Sequence, residues 1–411
     1  MMILVRNRLV PSLRYQWSVR RYISSQQSPF DLEDGDEKYR ELNQMYVDMF
    51  SPQAEDALSK DVESNEKPTI SDLEELNNDM NCLLNVGYHK LTADELRKKV
   101  ELPGRFILQS LSNNPYFNLA VENYVFTKTP LGTTPGSSFA NQRLLFYINR
   151  DSVVIGKNQT LWKEIHLKTA QERGYEVLRR FSGGGTVVHD LGNVNYSFLT
   201  SREEFSREFF NRLIISGVRR STSEVPLALN HRGDIVLGDR KVSGSAFKIA
   251  KGKAYHHGTM LIESKLDQFH GLLKPESIDG VRWNCNSVDS VRSQVENVPL
   301  GSVQQFIDMV VEEFKRVFYS GEVENIPVFY CDEDVTINEE IREYMTLLES
   351  DEWKYRKGPK FEVHLKCGNH SMTVERGIIV ESSIQALVGS SFQSFIDRIS
   401  EFKDIDEKLL I

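Results

Sequence analysis

One segment constrains this chain more than any other: Arg179-Arg180-Phe181-Ser182-Gly183-Gly184-Gly185-Thr186-Val187-Val188-His189-Asp190. Three consecutive glycines stand between two apolar, β-rich runs, YEVLRRF before them and TVVH after them. The flanks predict strands, which makes the glycines their connection. Glycine lets backbone N–H groups approach an anion with no Cβ in the way, and it reaches the φ angles of an anion-holding nest. Arginine stays charged and grips phosphate or carboxylate with two parallel hydrogen bonds. The local chemistry therefore suits a bound anion, although three glycines alone would equally make a flexible hairpin turn. A Walker A loop is excluded because no Gly-Lys-Ser/Thr follows, and the spacing is not G-x-G-x-x-G.

Around this segment the hydrophobic pattern alternates between helix and strand. Thr92-Ala93-Asp94-Glu95 is a capping box opening a short helix. Residues 114–128 carry apolar residues near helical spacing, and 131–138 read as a loop. RLLFYI and SVVIG predict strands, 161–173 a helix stopped by Gly174, and NYSFLT a further strand. Ser201-Arg202-Glu203-Glu204 is a second capping box, predicting a helix to about residue 215. DIVLG, RKVSGSAFKIA and KAYHHGTMLI are strands, and 303–318 is a long amphipathic helix. After Glu322 the pattern restarts with a capped helix over 336–348. The strands EWKYR, KFEVHLKC, SMTVER and GIIVESSI follow, then a last helix near Ser390. The class is α+β: a mixed sheet flanked by helices, then a small C-terminal α+β domain. A length of 411 residues fits two or three such units.

Composition excludes several classes. No run of about 18 apolar residues occurs, so no membrane-spanning helix is expected. A net charge of -9 argues against an electrostatic nucleic-acid binder, which needs a basic face. Cys82, Cys285, Cys331 and Cys367 are far apart, with neither zinc spacing nor a dense disulfide framework. Residues 1–30 hold no Asp or Glu, yet hold Arg6, Arg8, Arg14, Arg20 and Arg21 among several serines. Basic, Ser-rich, acid-free and amphipathic is the pattern of a mitochondrial transit peptide, and acid appears abruptly at Asp31.

Two further constellations bear on chemistry. In Gly238-Asp239-Arg240-Lys241-Val242-Ser243-Gly244-Ser245-Ala246 a lysine precedes small residues, so a ligand could lie against the strand beside an ammonium. An exposed strand lysine is the ordinary alternative. In Ala254-Tyr255-His256-His257-Gly258-Thr259, adjacent histidines point to opposite faces of a strand, which disfavours a metal site.

Together these segments resemble the lipoate–protein ligase A family. The matching elements are NPYFNLAVENYVF, DSVVIGKNQTLWKEI, RRFSGGGTVVHDLGNVNYSF, RGDIVLGDRKVSGSAFKI and YHHGTMLI, then SVDSVRS, in the family's order and spacing. The match is strong over about residues 109–298 and weak beyond, where EWKYRKGPKF looks like the family's accessory domain. The resemblance implies a catalytic domain of biotin/lipoate-ligase type over 105–325 and an accessory domain over 326–411. Before them stand a transit peptide over 1–30 and a polar extension over 31–104. It implies that lipoate and ATP, with Mg2+, form lipoyl-AMP, and that the acyl group passes to a lysine of a lipoyl domain.

Carried over by position, Lys241 is the catalytic lysine touching both lipoate and phosphate. Arg180, Gly183, Gly184, Gly185, Thr186, Val187 and Val188 hold the nucleotide, with no resident metal site. Expected partners are lipoyl domains of 2-oxoacid dehydrogenase acyltransferase subunits and the glycine-cleavage carrier protein. Neither nucleic acid nor membrane is among them. A monomer in the mitochondrial matrix is expected. Biotin–protein ligases carry a GRGR-type loop where this chain has SGGG, and the related transferases carry a cysteine where it has Ala254. The alternative left open is an ATP-independent transferase moving lipoyl or octanoyl groups from a carrier protein or coenzyme A.

Overall fold

The first capping box forms. Glu95 N–H donates to Thr92 Oγ1 at 3.4 Å and Thr92 N–H donates to Glu95 Oε2 at 2.9 Å, opening α1 (Ala93–Glu101). The computed structural model describes residues 88–131, 139–275, 277–318, 326–402 and 405. The expected transit peptide, most of the extension and most of the 131–138 loop lie outside the described residues.

Strand β1 (Phe106–Ser110) follows, and Asn114 caps α2 (Pro115–Lys128), whose proline sits in the first turn where no N–H is missed. Next come β2 (Arg143–Ile148), β3 (Ser152–Ile155), the short α3 (Leu161–Glu164) and α4 (Leu167–Glu172), and β4 (Glu176–Arg179). After the glycines come β5 (Val187–His189) and β6 (Asn193–Ser201), then α5 (Phe209–Ser221). Strands β7 (Leu227–Leu229), β8 (Ile235–Leu237) and β9 (Arg240–Lys241) make a small sheet before β10 (Ser245–Ala250) and β11 (Lys253–Leu261). The chain continues through β12 (Val281–Cys285), α6 (Val303–Val317), β13 (Val328–Cys331) and α7 (Glu339–Glu349). It closes with β14 (Phe361–Leu365), β15 (His370–Glu375), β16 (Ile378–Ser382) and α8 (Phe392–Asp397).

The main sheet has the order β10-β11-β6-β2-β1-β13 and is mixed, with β1 parallel to both neighbours and the rest antiparallel. Both its faces are covered, as period-two alternation requires of a buried strand. On β2, Leu144 and Phe146 join a core with Phe210 and Ile214 of α5 and Phe306 and Phe314 of α6. Leu145 and Tyr147 join another with Leu119 and Val125 of α2. A four-stranded sheet, β12-β14-β15-β16, joins a third core in which Phe361 of β14 and Phe392 of α8 pack with Trp162 and Ile165. Strands cross the 325/326 boundary both ways: β13 pairs with β1, and β12 pairs with β14. The separate accessory domain over 326–411 stays our proposal, with those two exchanges built into it.

Two local expectations change. Ser201 Oγ does accept from Glu204 N–H at 3.1 Å, yet no helix opens there. The sheet claims that stretch, since Ser201 pairs with Lys253 and Arg202 N–H donates to Gly252 O. The Glu204 carboxylate accepts from Phe139 N–H at 2.7 Å, and the helix begins only at Phe209. EWKYR, which alternates like a strand, is a π-type turn over Glu352–Arg356.

The cause of that second change is Arg179. Its guanidinium is fully buried and donates to five carbonyl oxygens: Gly156, Lys157 and Gln159 on one side, Trp353 and Lys354 on the other. Trp353 Nε1–H donates back to Arg179 O at 2.8 Å. The carbonyls a strand would give to a neighbour are committed to a charge. Arg179→Met should leave several buried carbonyls without a donor and destabilise the fold by on the order of 3–5 kcal/mol. Urea unfolding followed by tryptophan fluorescence checks this.

Candidate active site

β4 and β5 both flank β3, in the order β4-β3-β5. The connection over residues 180–186 therefore arches across the end of β3, where Gly156 lies. A Cβ on Gly156 would stand 2.0 Å from Gly184 O, so backbone meets backbone there and only glycine fits. Gly184 itself has φ +88°, in the left-handed region.

Successive residues on β4 point to opposite faces, which separates the two arginines. Arg179 faces the C-terminal turn, as described above. Arg180 lies beneath the loop and braces it: Nε donates to Ser182 Oγ at 2.9 Å, and Nη2 to Gly183 O at 2.6 Å and Gly185 O at 2.7 Å. Nη1 donates to Val154 O at 3.1 Å. Burial pushes both arginines down to about 10, which leaves them cationic at neutral pH.

A second brace comes from α2. The buried Glu122 carboxylate pairs with His257 Nδ1 at 2.9 Å, and His257 Nε2 pairs with Ser182 Oγ at 2.7 Å. Burial would push Glu122 up, but the His257 charge and hydrogen bond, then Ser197 and the Lys248 charge, hold it below the ordinary carboxyl value. Ser182, His257 and Glu122 follow the order of a nucleophile triad. However, Ser182 Oγ already accepts from Arg180 and the residue does not line the cavity, so this chain of bonds holds the loop.

The cavity beside the loop measures about 240 Å³. Of the residues expected from sequence, Arg180, Gly184, Gly185, Thr186, Val187 and Lys241 line it, while Gly183 and Val188 do not. Lys241 reaches in from β9, with its Nζ 3.0 Å from Asp234 Oδ1. Its side chain runs past Gly244, where a Cβ would stand 3.7 Å from Cε. Sequence reasoning missed Asp234, a buried carboxylate whose signal was only its place just before β8. Arg232 Nε lies 3.8 Å from its other oxygen.

Sequence reasoning also missed Gln159. Its fully buried amide accepts from Gly156 N–H at 2.8 Å and from the Thr186 hydroxyl at 3.0 Å. It donates to Val288 O and to Ser290 Oγ, both at 3.0 Å. One side chain thus joins β3, the glycine loop and the strap over residues 286–294. Ser290 Oγ in turn accepts Thr186 N–H at 2.8 Å, and Lys163 holds Asp289 at 2.5 Å. Val288, Asp289, Ser290 and Val291 form one wall of the cavity. The two adjacent histidines diverge as β-geometry requires, with His256 on Ser245 Oγ at 3.0 Å and His257 on the loop brace. Among the described residues no group of three or more His, Cys, Asp or Glu could hold a metal ion.

Comparison with known proteins shows the family. Residues 114–315 match the lipoyl protein ligase A/B catalytic domain. The chain is 45% identical over 379 residues to a Saccharomyces cerevisiae protein provisionally named lipoate-protein ligase A, covering 90% of this chain and 91% of that one. It is 33% identical over 261 residues to the mitochondrial lipoyl amidotransferase of Homo sapiens, covering 63% of this chain and 67% of that one. A crystal structure of P. falciparum LipL1 in complex with lipoate is similar at a TM-score of 0.53, with 26% identity over 72% of this chain and 94% of that one.

The strap makes a checkable claim. Ser290→Ala removes the acceptor of the Thr186 amide and should speed its hydrogen exchange by about fivefold to tenfold, the worth of one hydrogen bond. Exchange followed by mass spectrometry over the 180–190 peptide measures it, and no change would mean that the strap does not close on the loop.

Proposed function

Because the chain belongs to the lipoate–protein ligase family, we propose that it attaches lipoate to the acceptor lysine of lipoyl domains through a lipoyl-AMP intermediate. The observation that carries this reading is Lys241, an ammonium in the cavity beside the glycine loop whose partner carboxylate among the described residues is Asp234, 3.0 Å away.

A carboxylate is a poor electrophile, so it first needs a good leaving group. In this reading a lipoate carboxylate oxygen attacks the α-phosphate of ATP and pyrophosphate departs. The acceptor lysine amine then attacks the acyl carbonyl and AMP departs. Lys241 neutralises first the carboxylate and then the charge growing on the α-phosphate. We assign the nucleotide to Arg180 and to Gly183, Gly184, Gly185, Thr186, Val187 and Val188. Support is strongest for the four that line the cavity as loop residues, Gly184 to Val187. Arg180 acts mainly by holding the Gly183 and Gly185 carbonyl oxygens, so those acceptors are already met when an anion binds.

Mg2+ takes most of its ligands from triphosphate and water and needs one or two carboxylates, so it would arrive with ATP. Asp234 and Asp289 are the carboxylates that line the cavity. Of the described cysteines, Cys285, Cys331 and Cys367, none lines the cavity. That supports a route with no thioester on the protein. Acceptor lipoyl domains of 2-oxoacid dehydrogenases and of the glycine-cleavage carrier, and a place in the mitochondrial matrix, belong to the same proposal. The mitochondrial human relative and the acid-free, basic residues 1–30 support the location.

A second reading has one observation in its favour, the identity to a human protein named an amidotransferase. It is an ATP-independent transfer of lipoyl or octanoyl groups from a carrier. Lipoate-dependent ATP–pyrophosphate exchange separates the two. The full chain should catalyse exchange, and Lys241→Ala should lower it by about 10²-fold or more, the worth of one preorganised donor. No exchange by folded protein, together with acyl transfer when ATP is omitted, would establish the second reading instead.

A further inference from the structure

His189 ends β5 beside the glycine loop, is buried, and lines the cavity. Its two ring nitrogens have unlike surroundings. Nδ1 stands 3.0 Å from Asn149 Nδ2, whereas Nε2 is buried with no hydrogen-bond partner.

The groups behind the ring decide which nitrogen carries the proton. Asn118, on α2, turns its Nδ2 to the carbonyl oxygens of Ser112 at 2.9 Å and Ile148 at 3.3 Å. Only a donor fits there, because the opposite amide orientation would set oxygen against two oxygens. The same Nδ2 meets Asn149 Oδ1 at 2.9 Å, which makes that oxygen an acceptor and fixes the Asn149 amide as well. Asn149 Nδ2 therefore donates to His189 Nδ1. A ring nitrogen that accepts carries no proton, so the proton of the neutral imidazole is on Nε2. Asn118, Asn149 and His189 are each more than nine-tenths buried, which keeps water from competing for this relay. Burial, then the Arg180 charge and His257, pushes His189 down to about 3, so the ring is neutral at ordinary pH.

A buried N–H without a partner is destabilising until an acceptor meets it. We infer that His189 presents a fixed Nε2–H donor to an oxygen of the acyl group bound in the cavity, with Asn118 and Asn149 as positioning residues that set its tautomer. The inference rests on reading the cavity as an acyl-adenylate site. The chemistry recognised is an acceptor oxygen, in the free acid a carboxylate oxygen and in the adenylate the acyl carbonyl. A neutral donor suits both, because its polarity holds while the ligand loses its charge on activation. Lys241 differs in this respect, since a cation binds the carboxylate better than the neutral carbonyl.

The full chain labelled with ¹⁵N at histidine reports the tautomer by NMR, with the His189 signals assigned by their loss in His189→Gln. We expect a pyrrole-type Nε2 and a pyridine-type Nδ1, and a shifted Nε2 signal when a non-hydrolysable sulfamoyl mimic of lipoyl-adenylate is added. Asn149→Asp offers Nδ1 only an acceptor, so it should move the proton to Nδ1, exchange the two signal types and weaken the mimic by about tenfold or more. A wild-type ring protonated on Nδ1 would overturn the inference, and so would an Nε2 signal indifferent to bound mimic. Those results are read on the wild-type chain, with His189→Gln serving only to assign the signals. Equal affinity in Asn149→Asp with the signals exchanged would overturn it too, while leaving the acyl-adenylate reading intact. Failure of the wild-type chain to bind the mimic at all would remove both readings together.

Discussion

Arg179 sets a full charge where its five partners are all backbone carbonyl oxygens. Burying a guanidinium is costly unless its donors are met, and dipoles converging from two segments meet them here. The first segment is the turn after β3, on which the glycine loop rests. The second is the turn over Glu352–Arg356. Neither can move without stripping donors from the same side chain. The anion loop and the C-terminal part of the chain therefore share one anchor, although nearly two hundred residues separate them in sequence.

The site is built by the same logic, with cations used to hold backbone in place. Arg180 takes the outward carbonyls of the loop, Gln159 takes Gly156 N–H and the Thr186 hydroxyl, and Glu122 reaches Ser182 through His257. Preorganised donors are worth most when they need not rearrange during reaction. A glycine loop left to itself would be mobile. This one is tied from below, from α2 and from the strap. Lys241 differs from these braces because its partner is a side-chain carboxylate and not backbone.

Much of this was legible in residues 179–190. Strand, glycine turn and strand follow from β-branched flanks and a Gly cluster, and the order of the matching motifs needs no coordinates. What the residues alone left undivided was the labour of Arg179 and Arg180, of which the family resemblance singled out Arg180. Sequence offers two equal arginines before an anion loop, whereas alternation along β4 sends them to opposite faces, and only Arg180 touches the cavity. EWKYR misled for a related reason. Its polar–aromatic alternation is that of a half-buried strand, but Arg179 claims its carbonyls from far away, and no local pattern records a distant donor. The Ser201 box failed similarly, because ladder bonds to β11 outweighed a cap whose glutamate was engaged at Phe139.

By itself, the sequence determined which elements could exist and which chemistry the loop suited, because periodicity, capping residues and glycine act over a few residues. Tertiary structure decided which donors stay available. Asp234 opposite Lys241, Gln159 among three segments, and Asn118 and Asn149 behind His189 are unremarkable residues in the sequence. Each acquires its role from partners brought beside it by folding, since a hydrogen bond's direction depends on what lies within about 3 Å and not on neighbours along the chain.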